Sequence, residues 1–354
     1  MKIFKNWIRL FFVSFIVSMT SLALFNFFVD SAGVFGNKSY LAKASEELVS
    51  GKMIAGLSDY DERVFQELII RNIKKDVDAI ALGSSRAMMI RKKYVVSKDE
   101  VFFNHSVSRA TLEDYLAVMG MYHKIRGKFP KKVIIGVDPW IFNKFGGQIR
   151  WRSVKEYYFD FLSLLKEENI EDSSLSLKKW KQLINYEYTE KNLKSIFGNR
   201  ASYHVIDDKN GSKDSIRDID GSIYYPPNHR GSDKAVENLA IKFPLSTNEH
   251  SLGRFTEISN RDDFKKFISY LQKNGVKITF VLFPYHPISY DLLIKDKRYA
   301  IIKDVELYLK EFAKDNNIEI FGSYNPHKFN FTNRDFMDGM HGLERVTKKI
   351  LERN

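Results

Sequence analysis

The chain has 354 residues, no cysteine, and 56 Lys and Arg against 44 Asp and Glu, which gives a net charge of +12. This length permits one large domain or two ordinary ones, and the absence of cysteine excludes disulfide scaffolds, thiol catalysis, iron–sulfur clusters, cysteine-ligated zinc and a lipoprotein anchor. The positive charge fits nucleic acid, an anionic membrane surface or an acidic polymer as a partner.

An apolar segment near the N-terminus predicts a membrane-spanning helix. Fifteen of the 20 residues in Leu10–Val29 are apolar and none is charged. In a helix, about 20 residues cross the roughly 30 Å of hydrocarbon in a bilayer. Lys2, Lys5 and Arg9 precede the segment and Asp30 follows it, so the positive-inside rule keeps the N-terminus in the cytoplasm.

This segment therefore predicts a single-pass signal anchor. We expect residues 1–9 to be a cytoplasmic tail, residues 10–29 to cross the inner (cytoplasmic) membrane, and the remainder to be periplasmic or extracellular. A cleaved signal peptide is the alternative, because Ser21-Leu22-Ala23 resembles a small-x-small cleavage site. In both cases the main domain is exported, which disfavours nucleic acid as a partner and favours anionic material of the cell envelope.

Five short apolar runs bounded by turn residues predict buried β-strands. They cover residues 78–83, 101–103, 133–137, 276–283 and 318–321. Helical patterns lie between them, and Thr111 with Asp114 resembles a capping box at the start of one helix. Strands that alternate with helices imply an α/β fold with a parallel sheet, whose functional residues are expected at the carboxyl ends of the strands.

Two segments lie outside this repeating pattern. Residues 30–76 are expected to be a linker with lead-in helices. Between Val137 and Val276 lie 138 residues, which predicts an insertion at residues 142–258 within a main domain of residues 77–354. Long insertions at the active edge of such a sheet are commonly lids or substrate-binding caps, and a stabilising embellishment is the alternative.

The first strand run ends in Gly83-Ser84-Ser85-Arg86. A serine just past a parallel strand presents its Oγ at the catalytic edge, near N–H groups that can hold an oxyanion. An ordinary serine-containing turn is the alternative interpretation. Ser85 is therefore a candidate nucleophile that needs a partner base.

Asp338-Gly339-Met340-His341, near the C-terminus, can supply that base. A catalytic histidine needs a carboxylate on its far nitrogen, which holds the tautomer and stabilises the imidazolium. An aspartate three residues earlier on a tight turn can do this. Together with Ser85, Asp338 and His341 form a triad hypothesis.

Two further segments follow the second and third strand runs. They are Asn104-His105-Ser106-Val107-Ser108-Arg109-Ala110-Thr111 and Gly136-Val137-Asp138-Pro139. With the serine and histidine motifs they resemble, in order, the four blocks of the SGNH (GDSL-like) hydrolase superfamily. Within it, the chain looks like the membrane-anchored extracytoplasmic branch that includes the D-alanine transfer protein of teichoic acids and the polysaccharide O-acetylation proteins.

The resemblance covers roughly residues 78–141 and 276–352. It implies a flavodoxin-like three-layer sandwich with a central five-stranded parallel sheet, with Ser85 as nucleophile and Asp338 and His341 completing the triad. Arg109 stands where the family has a Gly whose N–H serves the oxyanion hole, and Asp138 where the oxyanion Asn usually lies. The candidate oxyanion donors are therefore the N–H groups of Ser85 and Arg109, because an ionised carboxylate only accepts.

Several neighbouring side chains are candidate substrate contacts. Arg86 and Arg109 would flank the nucleophile and pair with acidic groups of a glycan; salt bridges to local acids such as Glu113 or Asp114 are the alternative. Asp138 would orient a substrate hydroxyl or be structural. After the fourth strand come two candidate sugar or acyl contacts, Tyr285 and His286, for which a rigid proline-flanked turn is the alternative.

The predicted function is a membrane-anchored extracytoplasmic serine acyl-ester enzyme, an O-acyltransferase or esterase with acetyl as the expected acyl group. The resemblance implies a cell-envelope polysaccharide, an acyl donor and a multi-span membrane acyltransferase as partners. No metal-ligand spacing of histidines and no glycine-rich phosphate loop occurs, so no metal and no cofactor is expected. A catalytically weak glycan-binding partner and a small-ligand receptor are the alternatives.

Overall fold

The structure is a computed structural model. It describes residues 2–30, 39–58, 60–146, 148–168, 170, 180, 182–197, 203–246, 252–253 and 255–352. Residues 31–38 of the expected linker and several parts of the insertion lie outside the described residues.

Strands and helices alternate along most of the chain. The strands are β1 Met53–Ala55, β2 Ala79–Leu82, β3 Phe102–Asn104, β4 Lys132–Gly136, β5 His204–Ile206, β6 Ile216–Arg217, β7 Ile223–Tyr224, β8 Lys277–Leu282 and β9 Glu319–Gly322. The α-helices are α1 Lys2–Val29, α2 Ser39–Val49, α3 Glu62–Asn72, α4 Lys92–Val95, α5 Leu112–Met121, α6 Lys155–Lys166, α7 Tyr186–Phe197, α8 Asp233–Lys242, α9 Arg261–Lys273, α10 Pro287–Lys295, α11 Ile301–Asp315 and α12 Glu344–Leu351.

A parallel sheet of five strands forms the centre, in the order β3-β2-β4-β8-β9. All five predicted strand runs are confirmed. Their residues alternate between two hydrophobic cores: Ile80 and Leu82 of β2 face the larger one, with α3, α5, α9 and α11, whereas Ala79 and Ala81 face the smaller one, with α12. Because both faces are covered, the strands read as continuous apolar runs rather than as alternating patterns.

The predicted capping box is also confirmed. The N–H of Thr111 donates to Oδ2 of Asp114 at 2.8 Å, which satisfies an N–H at the start of α5. The same carboxylate pairs with Arg63 of α3, whose Nε donates to Asp114 Oδ1 at 2.9 Å. Asp114 therefore ties the lead-in helix α3 to the helix that follows β3.

A second sheet joins the lead-in segment to the insertion. It is antiparallel, in the order β5-β1-β6-β7. The sequence pattern did not reveal β1 beside the lead-in helices, because three residues are too few for an alternating pattern to identify a strand. Within the described residues, the insertion is thus built onto a strand that precedes the main sheet in the chain.

One N-terminal helix is long and apolar enough to cross a membrane. The apolar part of α1, Phe4–Val29, has 26 residues. Most of its side chains are exposed, so its apolar surface is not covered by the protein core. The predicted span, residues 10–29, lies within this helix.

Candidate active site

The turn after β2 lies very close to the end of the sheet. A Cβ on Gly83 would come within 2.4 Å of the Cβ of Ala87, and one on Gly136 of β4 within 2.7 Å of the same atom. Any larger residue at either position would push this turn outward. Glycine at both strand ends therefore lets the segment that carries Ser85 pack directly against the sheet.

Asn104, the last residue of β3, fixes the same turn from the other side. Its Nδ2 donates to the carbonyl oxygens of Ala87 and Ile90, both at 2.9 Å, and its Oδ1 accepts from the N–H of Ser106 at 2.9 Å. The side chain is fully buried. The sequence analysis assigned no structural role to Asn104. A polar residue at the end of a buried strand was the signal that could have identified it.

The structure brings Ser85, His341 and Asp338 together at the carboxyl edge of the parallel sheet. Ser85 Oγ lies 2.8 Å from His341 Nε2, and His341 Nδ1 lies 2.7 Å from Asp338 Oδ2. An ionised Asp338 only accepts, so Nδ1 carries the proton and Nε2 is left to accept from the serine hydroxyl. The tautomer required of a general base is therefore imposed by the carboxylate.

The electrostatics of Asp338 keep it ionised. Burial raises the pKa of its carboxyl, but the charge of His341, the bond to its ring and two backbone N–H donors outweigh that effect, so the pKa lies well below its usual value. The two N–H donors belong to Met340 and His341, each 2.8 Å from Oδ1. Oδ1 of Asp338 thus holds the turn, and Oδ2 orients the imidazole of His341.

Neighbouring backbone holds the Asp338–His341 turn in place. The N–H of Met337 donates to the carbonyl oxygen of His341 at 2.9 Å, closing the turn on itself. The N–H of His286, after β8, donates to the carbonyl oxygen of Gly339 at 3.1 Å. The histidine motif is therefore attached to the end of β8, two strands from the nucleophile.

Arg86 and Asp138 pair with each other beneath the nucleophile. Arg86 Nη1 donates to Asp138 Oδ1 at 3.0 Å, and Nη2 donates to the carbonyl oxygen of Phe283. Both side chains are 1% exposed. Burial raises the pKa of Asp138 and the charge of Arg86 opposes that rise. Direct contact of either side chain with substrate does not fit this burial, and Arg86 forms the alternative salt bridge to a local acid, with Asp138 in place of Glu113 or Asp114.

Tyr285 and His286 are buried in the same layer. The guanidinium carbon of Arg86 lies 4.3 Å from the centre of the Tyr285 ring. His286 Nδ1 accepts from the N–H of Ile288 at 3.2 Å and so caps α10, and burial lowers the pKa of the His286 ring to about 4. Both side chains are fully buried. Their places fit the rigid proline-flanked turn better than direct sugar or acyl contact.

Arg109 is an exposed residue in the otherwise largely buried loop after β3, with a left-handed φ of +54°. The N–H of Val107 in this loop donates to the carbonyl oxygen of Gly83 at 3.0 Å, which holds the loop beside the nucleophile turn. Within the described part of the chain, the N–H groups of Ser85 and Arg109 donate to no acceptor. The side chain of Arg109, unlike that of Arg86, is available at the surface.

The insertion contacts the nucleophile turn but does not close over it in the described residues. The N–H of Ile223 in β7 donates to the carbonyl oxygen of Met88 at 2.8 Å. The backbone carbonyl oxygen of Asp220 accepts from the N–H of Asn104 at 2.8 Å. Ser85 and His341 nevertheless remain partly exposed. The described residues therefore leave a path for solvent to the nucleophile.

No known protein family matches this chain, and no curated protein matches it either. No group of three or more His, Asp or Glu side chains that could hold a metal ion occurs among the residues that the structure describes.

Proposed function

We propose that the protein is a serine acyl-ester enzyme. The observation that carries this proposal is the continuous hydrogen-bond chain from Ser85 through His341 to Asp338, with both distances below 3 Å. Nucleophile, base and orienting carboxylate within hydrogen-bond reach are the arrangement that activates a serine hydroxyl. The three residues come from segments 256 residues apart, so local sequence alone does not bring them together.

The chemistry follows from these contacts. His341 Nε2 takes the proton of Ser85 as Oγ attacks the ester carbonyl, and the oxyanion that forms accepts from the N–H groups of Ser85 and Arg109. Collapse breaks the ester C–O bond, and the leaving oxygen receives the proton from His341. A second hydroxyl, from a glycan or from water, then gives its proton to His341 and attacks the acyl-enzyme, and Ser85 recovers its proton.

The expected superfamily is part of the proposal. We propose an SGNH-type domain of the flavodoxin-like kind, with helices on both faces of the sheet. The strand order supports this, since the first strand of the sheet in the chain, β2, lies between the second and the third. The partial exposure of the nucleophile is compatible with both hydrolysis and transfer, so the proposed reaction class is acyl-ester chemistry with either acceptor.

Place and substrate class follow from the charge and the apolar helix. We propose that α1 anchors the chain in the inner membrane with the N-terminus inside, and that the main domain acts on a cell-envelope polysaccharide, with acetyl as the acyl group. Residues 1–30 carry three positive charges and one negative, a net +2, which leaves +10 on the rest. A multi-span membrane acyltransferase is the proposed source of acyl groups.

A catalytically weak glycan-binding protein is the second candidate. The observation in its favour is that Asp138 occupies the position of the family's oxyanion Asn and is paired with Arg86. An oxyanion hole without that side-chain donor has two N–H groups at most, and loss of one donor costs about 10²–10³ in rate. Glycan binding without turnover by the intact chain would favour this candidate.

The test is turnover of p-nitrophenyl acetate by the full chain in detergent micelles or nanodiscs. We expect Ser85→Ala and His341→Gln each to reduce the rate by about 10³-fold or more, and the double variant to be no slower than either single one, because the residues act as a unit. Ser97→Ala, at an exposed serine after α4, is the matched control and should keep its activity. Activity that survives in Ser85→Ala would refute the proposed nucleophile.

A further inference from the structure

The last turn of α1 and the residue that follows it carry two polar side chains that are fully buried. Asn26 and Asp30 have no exposed surface, whereas the apolar residues on most of the helix are exposed. Two insertion elements pack against this end of the helix, the turn Gln182–Ile184 and helix α7. The burial of Asn26 and Asp30 is therefore produced by the insertion and not by the main sheet.

The amide of Asn26 is satisfied entirely by the insertion. Its Nδ2 donates to the carbonyl oxygen of Leu183 at 2.8 Å and to Oγ1 of Thr189 at 2.7 Å, and its Oδ1 accepts from Nδ2 of Asn192 at 2.9 Å. This set uses both amide protons and one carbonyl lone pair of Asn26. These three hydrogen bonds fix the position of α7 along the axis of α1 to within one helical turn.

Asp30 makes a second contact of the same kind. Its Oδ1 accepts from the hydroxyl of Tyr188 at 2.5 Å, in a buried position. Asn26 lies in the last turn of α1, and Asp30, four residues later, directly follows the helix with a left-handed φ of +37°. Tyr188 and Asn192 have the same spacing on α7, so the two helices meet through matched polar positions.

The contact between the end of α1 and the insertion indicates how deeply α1 lies in the proposed membrane. A polar side chain in a membrane-spanning helix needs a protein partner where water is absent. If Asn26 lies at the outer boundary of the hydrocarbon layer, the helix of about 20 residues that crosses this layer has Trp7 at the inner boundary. Lys2 and Lys5 then lie outside the apolar layer, and Arg9 lies within a turn of its inner boundary, where its side chain can extend to the headgroups.

One turn beyond the docked residues Thr189 and Asn192, the same side of α7 is apolar and exposed. Leu193 and Ile196 of α7 are 42% and 44% exposed, and Ile184 and Tyr186 beside them are also exposed. Four of the twelve residues of α7 are charged, which suits a helix at an interface and not one buried in hydrocarbon. The exposed apolar side chains are together called the α7 apolar face, and they extend the exposed apolar surface of α1 to one side. They are Ile184, Tyr186, Leu193 and Ile196.

We propose that the α7 apolar face inserts into the outer headgroup layer of the phospholipid bilayer beside α1. The occupant is lipid, because the face adjoins the lipid-facing surface of the proposed anchor and is held at the depth of its last turn. The inference rests on the proposed membrane anchorage and not on the proposed chemistry. It gives the insertion a role, which is to hold the main domain at a fixed height and orientation on the membrane.

The absence of cysteine makes a direct test simple. Leu193→Cys and Ile196→Cys each create one labelling site in the full chain, to which a nitrobenzoxadiazole fluorophore is attached. The labelled proteins are reconstituted in vesicles of phosphatidylcholine and phosphatidylglycerol, with or without doxyl-labelled phosphatidylcholine. We expect doxyl lipid to reduce both emissions roughly twofold, as for a side chain at the acyl boundary.

Two further labels separate the possible results. Phe28→Cys, at a 70% exposed position of α1, reports whether the anchor is in the bilayer, and Leu307→Cys, at a 58% exposed position of α11, is the aqueous control. Quenching at positions 28, 193 and 196 but not at 307 supports the proposal. Quenching at position 28 alone overturns it while the anchor stands. Lack of quenching at position 28 overturns anchor and proposal together and leaves the proposed chemistry of Ser85 untouched.

Discussion

Replacing Asp138 by Asn should strongly destabilise the protein, because it leaves the charge of Arg86 buried without an opposite charge. The two side chains are 1% exposed and their nearest atoms are 3.0 Å apart. Two unit charges about 4 Å apart interact by about 4 kcal/mol at an effective dielectric constant of 20. Breaking one partner of a buried pair commonly costs about 3–5 kcal/mol, so the free energy of unfolding should fall by that amount.

The assay is urea unfolding of the full chain in micelles, followed by tryptophan fluorescence. Trp140, two residues from Asp138, is buried and reports on this layer directly. A double-mutant cycle with Arg86→Met isolates the pair: each single variant should lose about 3–5 kcal/mol, and the double variant should lose much less than their sum. The matched control is Asp160→Asn, since Asp160 pairs with Lys124 at the surface, where such pairs contribute about 0–1 kcal/mol.

Two outcomes would refute this reasoning. A loss below about 1 kcal/mol in Asp138→Asn would mean that the buried carboxyl is already neutral, since an amide would then replace it with little change. Strictly additive single and double variants would mean that Arg86 and Asp138 do not interact energetically. Either outcome would leave Arg86 without the charge partner that its burial beneath Ser85 requires.

Three further measurements test other parts of the structure. Burial lowers the pKa of His286 to about 4 and that of His105 to about 3. As the pH falls, the unfolded chain therefore takes up protons at these histidines before the folded chain does. We expect the free energy of unfolding to keep its full value above about pH 6.5 and to fall as the pH drops toward 4. Replacing both histidines by Asn should flatten that fall, and an unchanged pH profile would contradict the assignment. Gly221→Ala should destabilise by roughly 2 kcal/mol more than Gly211→Ala, as measured by urea unfolding. Both glycines have a left-handed φ, but only at Gly221 would a Cβ meet Phe103, at 2.3 Å; equal losses would show that the insertion turn is loosely packed. Asp338→Asn should lower esterase kcat by about 10³–10⁴-fold, because the amide permits the wrong tautomer of the histidine, and wild-type kcat in this variant would refute the orienting role.

The main sheet was predictable because its signals are local. Five apolar runs bounded by turns identified the strands, and the capping box of Thr111 and Asp114 marked the start of α5. Ser85 could be selected because it follows a strand of the parallel sheet, and His341 because Asp338 stands three residues before it on a tight turn. Their pairing at 2.8 Å is a property of the fold, which only the structure supplies.

The buried pair beneath the nucleophile and the second sheet could not be predicted, for two different physical reasons. Arg86 and Asp138 follow different strands, and a charged residue in a sequence carries no signal that its partner is buried with it. β1 has three residues and obtains its stability from pairing with β5 and β6, more than 140 residues later. Docking of α7 on α1 has the same origin, since Asn26 finds its partners about 160 residues away.

The proposed serine chemistry is tested most directly by a fluorophosphonate probe on the intact full-length chain, with the adduct located by peptide mass spectrometry. We expect a single covalent adduct on Ser85, lost in Ser85→Ala, strongly slowed in His341→Gln and retained in the exposed-site control Ser97→Ala. The absence of any adduct, or an adduct that persists in Ser85→Ala, would contradict the assignment of Ser85 as an activated nucleophile.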